Sequence, residues 1–164
     1  MAEFRITSPA FQPNGTIQSE QVFGGWGCTG RNVSPELEWS GAPADAKSFA
    51  LTVYDPDAPT WSGFWHWQIF NIPANVTKLP AGAGDPEHGL APAGSVHGRN
   101  DYGAIGYGGP CPPPGDKPHR YIFTVFALKA ARLDLDASAS AAVIGFNINA
   151  NVIAKASVTA YYGR

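Results

Sequence analysis

Phe49, Leu51 and Val53 alternate with smaller or polar neighbours along residues 48–54 (SFALTVY), the period-two pattern of a half-buried strand. Residues 64–72 (FWHWQIFNI) break that alternation. Aromatic and β-branched residues follow one another almost without interruption there, which predicts a strand covered on both faces. Residues 120–128 (RYIFTVFAL) repeat this character, and residues 4–7 and 36–39 are shorter strand candidates. Between them lie GGWG, APADA, DPDAP, AGAGDPEHG and GGPCPPPG, all rich in the glycine, proline and aspartate of turns. Helical signals wait until the end of the chain. Asp136 is a candidate N-cap for ASASAAVIGF, Gly145 limits that helix to a few turns, and a second helical stretch covers residues 149–156. The segment SVTAYY predicts a last short strand. The pattern predicts a mostly β chain, an antiparallel β-sandwich with short C-terminal helices.

Composition narrows this picture. The 164 residues suffice for one ordinary domain spanning 1–164, with no linker or repeat to divide it. Nineteen glycines and fifteen prolines are more punctuation than a helical bundle tolerates. A net charge of -2, with no basic stripe, gives no electrostatic reason to expect nucleic acid or an acidic membrane surface. No apolar run approaches the roughly 20 residues of a membrane span. MAEFRITSPAF carries no apolar signal core, so stable membrane insertion is not expected and the expected location is the cytoplasm. Cys28 and Cys111 lie 83 positions apart and form no CxxC pair. In a cytosolic protein they are expected as free thiols.

The candidate chemistry sits in three segments: DPDAPTWSGFWHW, the glycine-proline loop 107–115, and HRY at 119–121. Taken singly, each group has an ordinary reading. Asp55 suits a turn before proline, His66 a hydrogen-bonded core position, His119 an exposed strand start, and GGPCPPPG a rigid connector. Together they say more. Asp55 ends one predicted strand, His66 sits near the start of the next and His119 opens a third. If those strands are neighbours, their ends bring aspartates and histidines to one edge of the sandwich beside Trp65 and Trp67, as a binding pocket requires.

The motifs NVSPELEW (32–39), YDPDAPTWSGFWHW (54–67), NDYG (100–103) and GYGGPCPPPG followed by HRYIFTVFAL occur in an order that resembles the phosphatidylethanolamine-binding protein family. Within it the chain is most similar to the bacterial branch of Raf-kinase-inhibitor-like proteins. The resemblance covers most of the chain. It implies a β-sandwich with Greek-key-like connections and a small cavity at one end that takes phosphate, phosphoryl headgroups, acetate or similar anions. Carried over by motif, the cavity residues are Asp55, Asp57, Ala58 and Pro59, then His66, then Gly109, Pro110, Pro112 and Pro113 with Cys111 among them, and finally His119 and Tyr121. No cofactor and no metal ligand is implied. The segment IGFNINANVIAKA departs from the family pattern, with Asn149 and Asn151 where bacterial relatives often carry a histidine, so helix and dimer contacts are not carried over.

An anion beside two aspartates needs donors. The expected ones are the imidazoles of His66 and His119 and the backbone N–H groups around Gly109. Asp55 and Asp57 are expected to hold a histidine as imidazolium, and Tyr121 to offer a hydroxyl contact or packing. Loop 107–115 is expected to border the cavity with at least one cis X-Pro bond. The functional expectation is a non-enzymatic binding protein for small anionic ligands with a regulatory role. Two alternatives stay open: inhibition of a kinase or other enzyme through protein–protein contact, as eukaryotic relatives suggest, and a metal-dependent hydrolase built from Asp55, Asp57, His66 and His119. No GxSxG elbow or HExxH helix is present. Bacterial relatives also suggest a homodimer.

Overall fold

The computed structural model describes residues 3–164, so the first two residues of the expected 1–164 domain lie outside the described residues. Alternation and aromatic content have become two antiparallel sheets. The smaller joins β1 (Arg5–Thr7), β2 (Leu37–Ser40) and β5 (Lys78–Leu79) in the order β1-β2-β5. The larger runs β6-β4-β3-β7-β8, built from β3 (Ser48–Asp55), β4 (Phe64–Pro73), β6 (Val96–His97), β7 (His119–Leu128) and β8 (Val152–Tyr162). The two-residue β5 and β6 had no sequence forecast, because two residues are too few to show a period.

One apolar core lies between the sheets. Ile6, Leu37, Trp39 and Leu79 of the small sheet meet Phe49, Leu51, Val53, Trp67, Phe123 and Val125 of the large one. Fully burying a side chain of this size contributes roughly 1.5–3 kcal/mol. The opposite face of the large sheet is covered by α1 (Ala141–Asn151), whose Ile144 and Ile148 pack with Ala50, Phe70, Leu128 and Leu133. The central strand β3 is therefore buried on both faces. The half-buried expectation for residues 48–54 fails because Ala50 and Thr52, small and weakly polar, sit under the helix side instead of water.

The C-terminal part differs from expectation in its boundaries. A single helix forms, capped by Ser140, whose hydroxyl accepts the Val143 N–H. Asp136 instead closes a short turn with the backbone N–H of Ser138. Gly145 lies inside the helix and does not end it. The expected second helix over 149–156 is mostly β8, because strand pairing with β7 along its length overrides the weak helical preference of that segment.

Candidate functional site

Three strand ends meet at one edge of the large sheet, and their order β4-β3-β7 places Asp55, His66 and His119 side by side. Asp55 is the last residue of β3 and is 2% exposed. His119 is the first residue of β7. His66 reaches the same side through a β-bulge. The β3–β4 register shifts between Val53 and Tyr54, so that two consecutive residues, His66 and Trp67, both face inward. Trp67 enters the core, and His66 meets the Tyr121 ring edge-on with centroids 5.2 Å apart.

These residues line a cavity of about 190 Å³. Of the residues expected in the site, Asp55, Ala58, Pro59, His66, Cys111, Pro112, Pro113, His119 and Tyr121 border it. Asp57, Gly109 and Pro110 do not. Trp26, Thr60, Phe64 and Tyr102 border it without having been foreseen. Tyr102 stacks on Phe23 at 3.9 Å and meets Trp26 edge-on at 4.8 Å, so Tyr102 and Trp26 form an aromatic wall of the cavity. The NDYG motif explains how Tyr102 is aimed. The Asn100 side chain accepts the N–H groups of Tyr102 and Ala104 and donates to the Gly106 carbonyl, which winds the turn.

The glycine-proline loop is tied down along its length. Gly108 donates to the His66 carbonyl, Gly109 donates to Asn32 Oδ1 at 2.7 Å, and the Pro110 carbonyl accepts from Phe23. Gly109 is irreplaceable because a Cβ there would collide with the Gln21 carbonyl oxygen. Its N–H is therefore spent on Asn32 and is not the anion donor expected. Every described peptide bond is trans, so the expected cis X-Pro bond is absent. Cys28 and Cys111, expected as free thiols, form a disulfide with Cα atoms 6.0 Å apart. The bond pins the Trp26 segment to the proline loop, and spacing along the chain gave no sign of this proximity.

The two aspartates of DPDAP point in different directions. Asp55 Oδ2 accepts from His119 Nδ1 at 2.7 Å, while Oδ1 accepts the Asp57 N–H at 2.8 Å. Asp57 turns outward and takes Arg120 in a two-pronged ion pair, with Nε at 3.0 Å and Nη2 at 2.8 Å. Adjacent residues on β7 point to opposite faces, so His119 takes one aspartate and Arg120 the other. Arg120 also holds the Asp57 carboxyl below its usual range, which corrects the expectation that Asp57 charges a histidine.

Each histidine has its own state. Burial pushes His66 down to about 4, against the pull of the Gly108 and Gly109 carbonyls, so it is neutral near pH 7 and is not the one of the two candidate histidines held as imidazolium. Its Nδ1 lies 2.6 Å from the Gly108 carbonyl. For His119 burial works against the charge, but the hydrogen bonds its ring donates to Asp55 and to Asp116 Oδ2, 2.9 Å from Nε2, outweigh it and raise its pKa. Asp55 itself is raised, because burial outweighs its pairing with His119. Both partners are thus pulled upward, and the imidazolium is the charge the two carboxylates agree on. Burial also raises the Tyr102 and Tyr121 hydroxyls, which stay protonated. Among the described residues, no cluster of three or more His, Cys, Asp or Glu is placed to hold a metal ion.

With fold and cavity in view, comparison with known proteins identifies the class. The phosphatidylethanolamine-binding protein family model matches residues 7–163, and the chain belongs to that family. It is 52% identical to the UPF0098 protein YbcL of Escherichia coli (strain K12) over 98% of this chain and 88% of that protein. It is 45% identical to YbhB of the same organism, over 96% of this chain and 99% of that protein. The crystal structure of E. coli YbcL, described as a member of the mammalian PEBP family, superposes with a TM-score of 0.97 over 99% of each chain. That of CT736, a putative PEBP homolog from Chlamydia trachomatis, gives 0.81 at 31% identity, over 98% of this chain and 97% of that one.

Proposed function

We propose that the protein binds a small anion at this cavity, a phosphate, a phosphoryl headgroup or an acetate-like carboxylate, with His119 as the charged donor. The observation that carries this reading is Asp116. Its carboxylate sits 2.9 Å from His119 Nε2, while the opposite ring nitrogen is held by Asp55. The two carboxylates are not equivalent: the Asp55 side chain is 3% exposed and that of Asp116 is 40% exposed. Asp116 is held on the loop by little more than a turn bond from its own N–H to the Pro113 carbonyl. A ligand anion takes its place on Nε2, and exchanging one monoanion for another leaves the local charge unchanged. Desolvating the incoming anion is offset by a charge-assisted hydrogen bond to a histidine already held as imidazolium.

Binding without catalysis is supported by the state of the available nucleophiles. Cys111 is spent in the disulfide, the Thr60 hydroxyl donates to the Gly63 carbonyl, and the Tyr121 phenol is driven away from ionisation. No described helix is long and apolar enough to cross a membrane. The disulfide favours an oxidising compartment over the cytoplasm expected from the sequence. Calorimetric titration with acetate tests the reading. Asp116→Asn removes the internal competitor and should tighten binding roughly tenfold, the scale of one charged hydrogen bond, whereas His119→Gln should abolish it. Unchanged affinity in both variants would contradict it.

A further inference from the structure

His66 is the acceptor of this cavity. A carbonyl only accepts, so the 2.6 Å contact with Gly108 places the ring proton on Nδ1 and leaves a lone pair on Nε2. Nε2 has no hydrogen-bond partner in the protein, yet it is not among the polar atoms sealed from solvent. The residue is only 3% exposed and its ring lines the cavity, so the cavity is the opening through which Nε2 is reached. The neighbouring polar groups do not change this character. Asp55 is itself an acceptor and engages the Tyr121 hydroxyl, Tyr102 gives its hydroxyl proton to the Gly109 carbonyl, and Thr60 gives its own to Gly63. The wall around His66 therefore asks the ligand for a hydrogen.

Resting on the reading of the cavity as an anion site, we propose that it selects anions that carry a proton of their own. One ligand oxygen, deprotonated, takes His119 Nε2, and a second, still bearing hydrogen, donates to His66 Nε2. Hydrogen phosphate and the monoanions of phosphate esters or phosphonates meet both demands. Sulfate and sulfonates, similar in shape to phosphate and phosphonates, are deprotonated at every oxygen near neutral pH, as is acetate. Such anions still pair with His119 but set lone pair against lone pair at His66, and so bind more weakly than a protonated anion. Leaving a buried acceptor unmatched costs enough to weaken binding roughly tenfold to a hundredfold.

Methylphosphonate and methanesulfonate make the cleanest pair. At about pH 6.5 both are mainly monoanions and only the phosphonate bears an O–H, while His119 is charged. Calorimetric titration of the wild-type protein should give methylphosphonate at least tenfold tighter. His66→Phe keeps a ring and removes the lone pair, and should bring the ratio towards one. Equal affinities in the wild type, or tighter methanesulfonate, would overturn the selection and leave anion binding standing. Binding of neither probe would instead remove the anion reading itself, and the selection with it.

Discussion

Opening the Cys28–Cys111 bond should cost the protein a large part of its stability. The cross-link joins positions 83 apart, so the unfolded chain it constrains is long. The chain-entropy relation gives a loss of about 15 cal/mol/K for a loop of that length, or about 4.5 kcal/mol at room temperature. That is an upper figure, since measured effects of removing such bonds more often fall at about 2–4 kcal/mol. At roughly 2–4 °C per kcal/mol for a chain of this size, the midpoint of thermal unfolding should drop by roughly 5–15 °C. The native loops will not fall apart at once, because the Phe23 bond to Pro110 and the Asn32 bond to Gly109 persist. The local effect should centre on Trp26, two positions from Cys28, whose edge-on contact with Tyr102 forms the aromatic wall. The assay is thermal unfolding followed by circular dichroism, with and without reductant, beside a Cys28→Ser, Cys111→Ser double variant. Thiol titration in denaturant, without reductant, should find no free thiol. Two titratable thiols in the purified protein, or melting points that coincide, would refute the reasoning.

Three further outcomes follow from named contacts. Gly145 sits mid-helix with open space where a Cβ would go, so Gly145→Ala should stabilise the protein by about 0.5–1 kcal/mol in urea denaturation. Asp57→Asn should leave acetate affinity within about twofold of wild type by calorimetry, because that carboxylate serves Arg120 outside the cavity; a tenfold loss would return its charge to the site. Acetate affinity should also depend on pH in one direction. Asp55 and Asp116 raise His119 above its ordinary 6.5, so the imidazolium is present at and below that pH and is lost as pH rises through the folded-state value. Affinity then falls roughly tenfold per unit, while His66 and the two phenols keep their protonation throughout; a flat profile would remove the charged donor.

Much of the large sheet was legible because its strands carry their period in the side chains that become the core. Phe49, Leu51 and Val53 announce β3, and the unbroken aromatic run announces β4. The helix was misread because Gly145 and Asp136 are local stop and start signals, and packing of Ile144 and Ile148 against Phe70 overrides them. Strand ends also revealed the heart of the cavity: Asp55, His66 and His119. The rest was hidden for two reasons. Trp26 and Tyr102 come from loops whose turn chemistry conceals their aromatic role, and nothing in GGWG tells which distant ring it will meet. Direction was hidden as well. Asp-x-Asp gives two carboxylates but not which one turns inward, and that is decided by His119 and Arg120 pointing to opposite sides of β7.

The central claim is that His119 is an imidazolium whose Nε2 exchanges Asp116 for a ligand anion. Nitrogen-15 spectra of the histidine rings, recorded near neutral pH while acetate is added, test it most directly. The account predicts a doubly protonated His119 from the start, with Nε2 as the ring nitrogen that shifts most on saturation. His66 should remain neutral with its proton on Nδ1. A neutral His119, or a His119 ring that stays unmoved while acetate binds, would contradict the account.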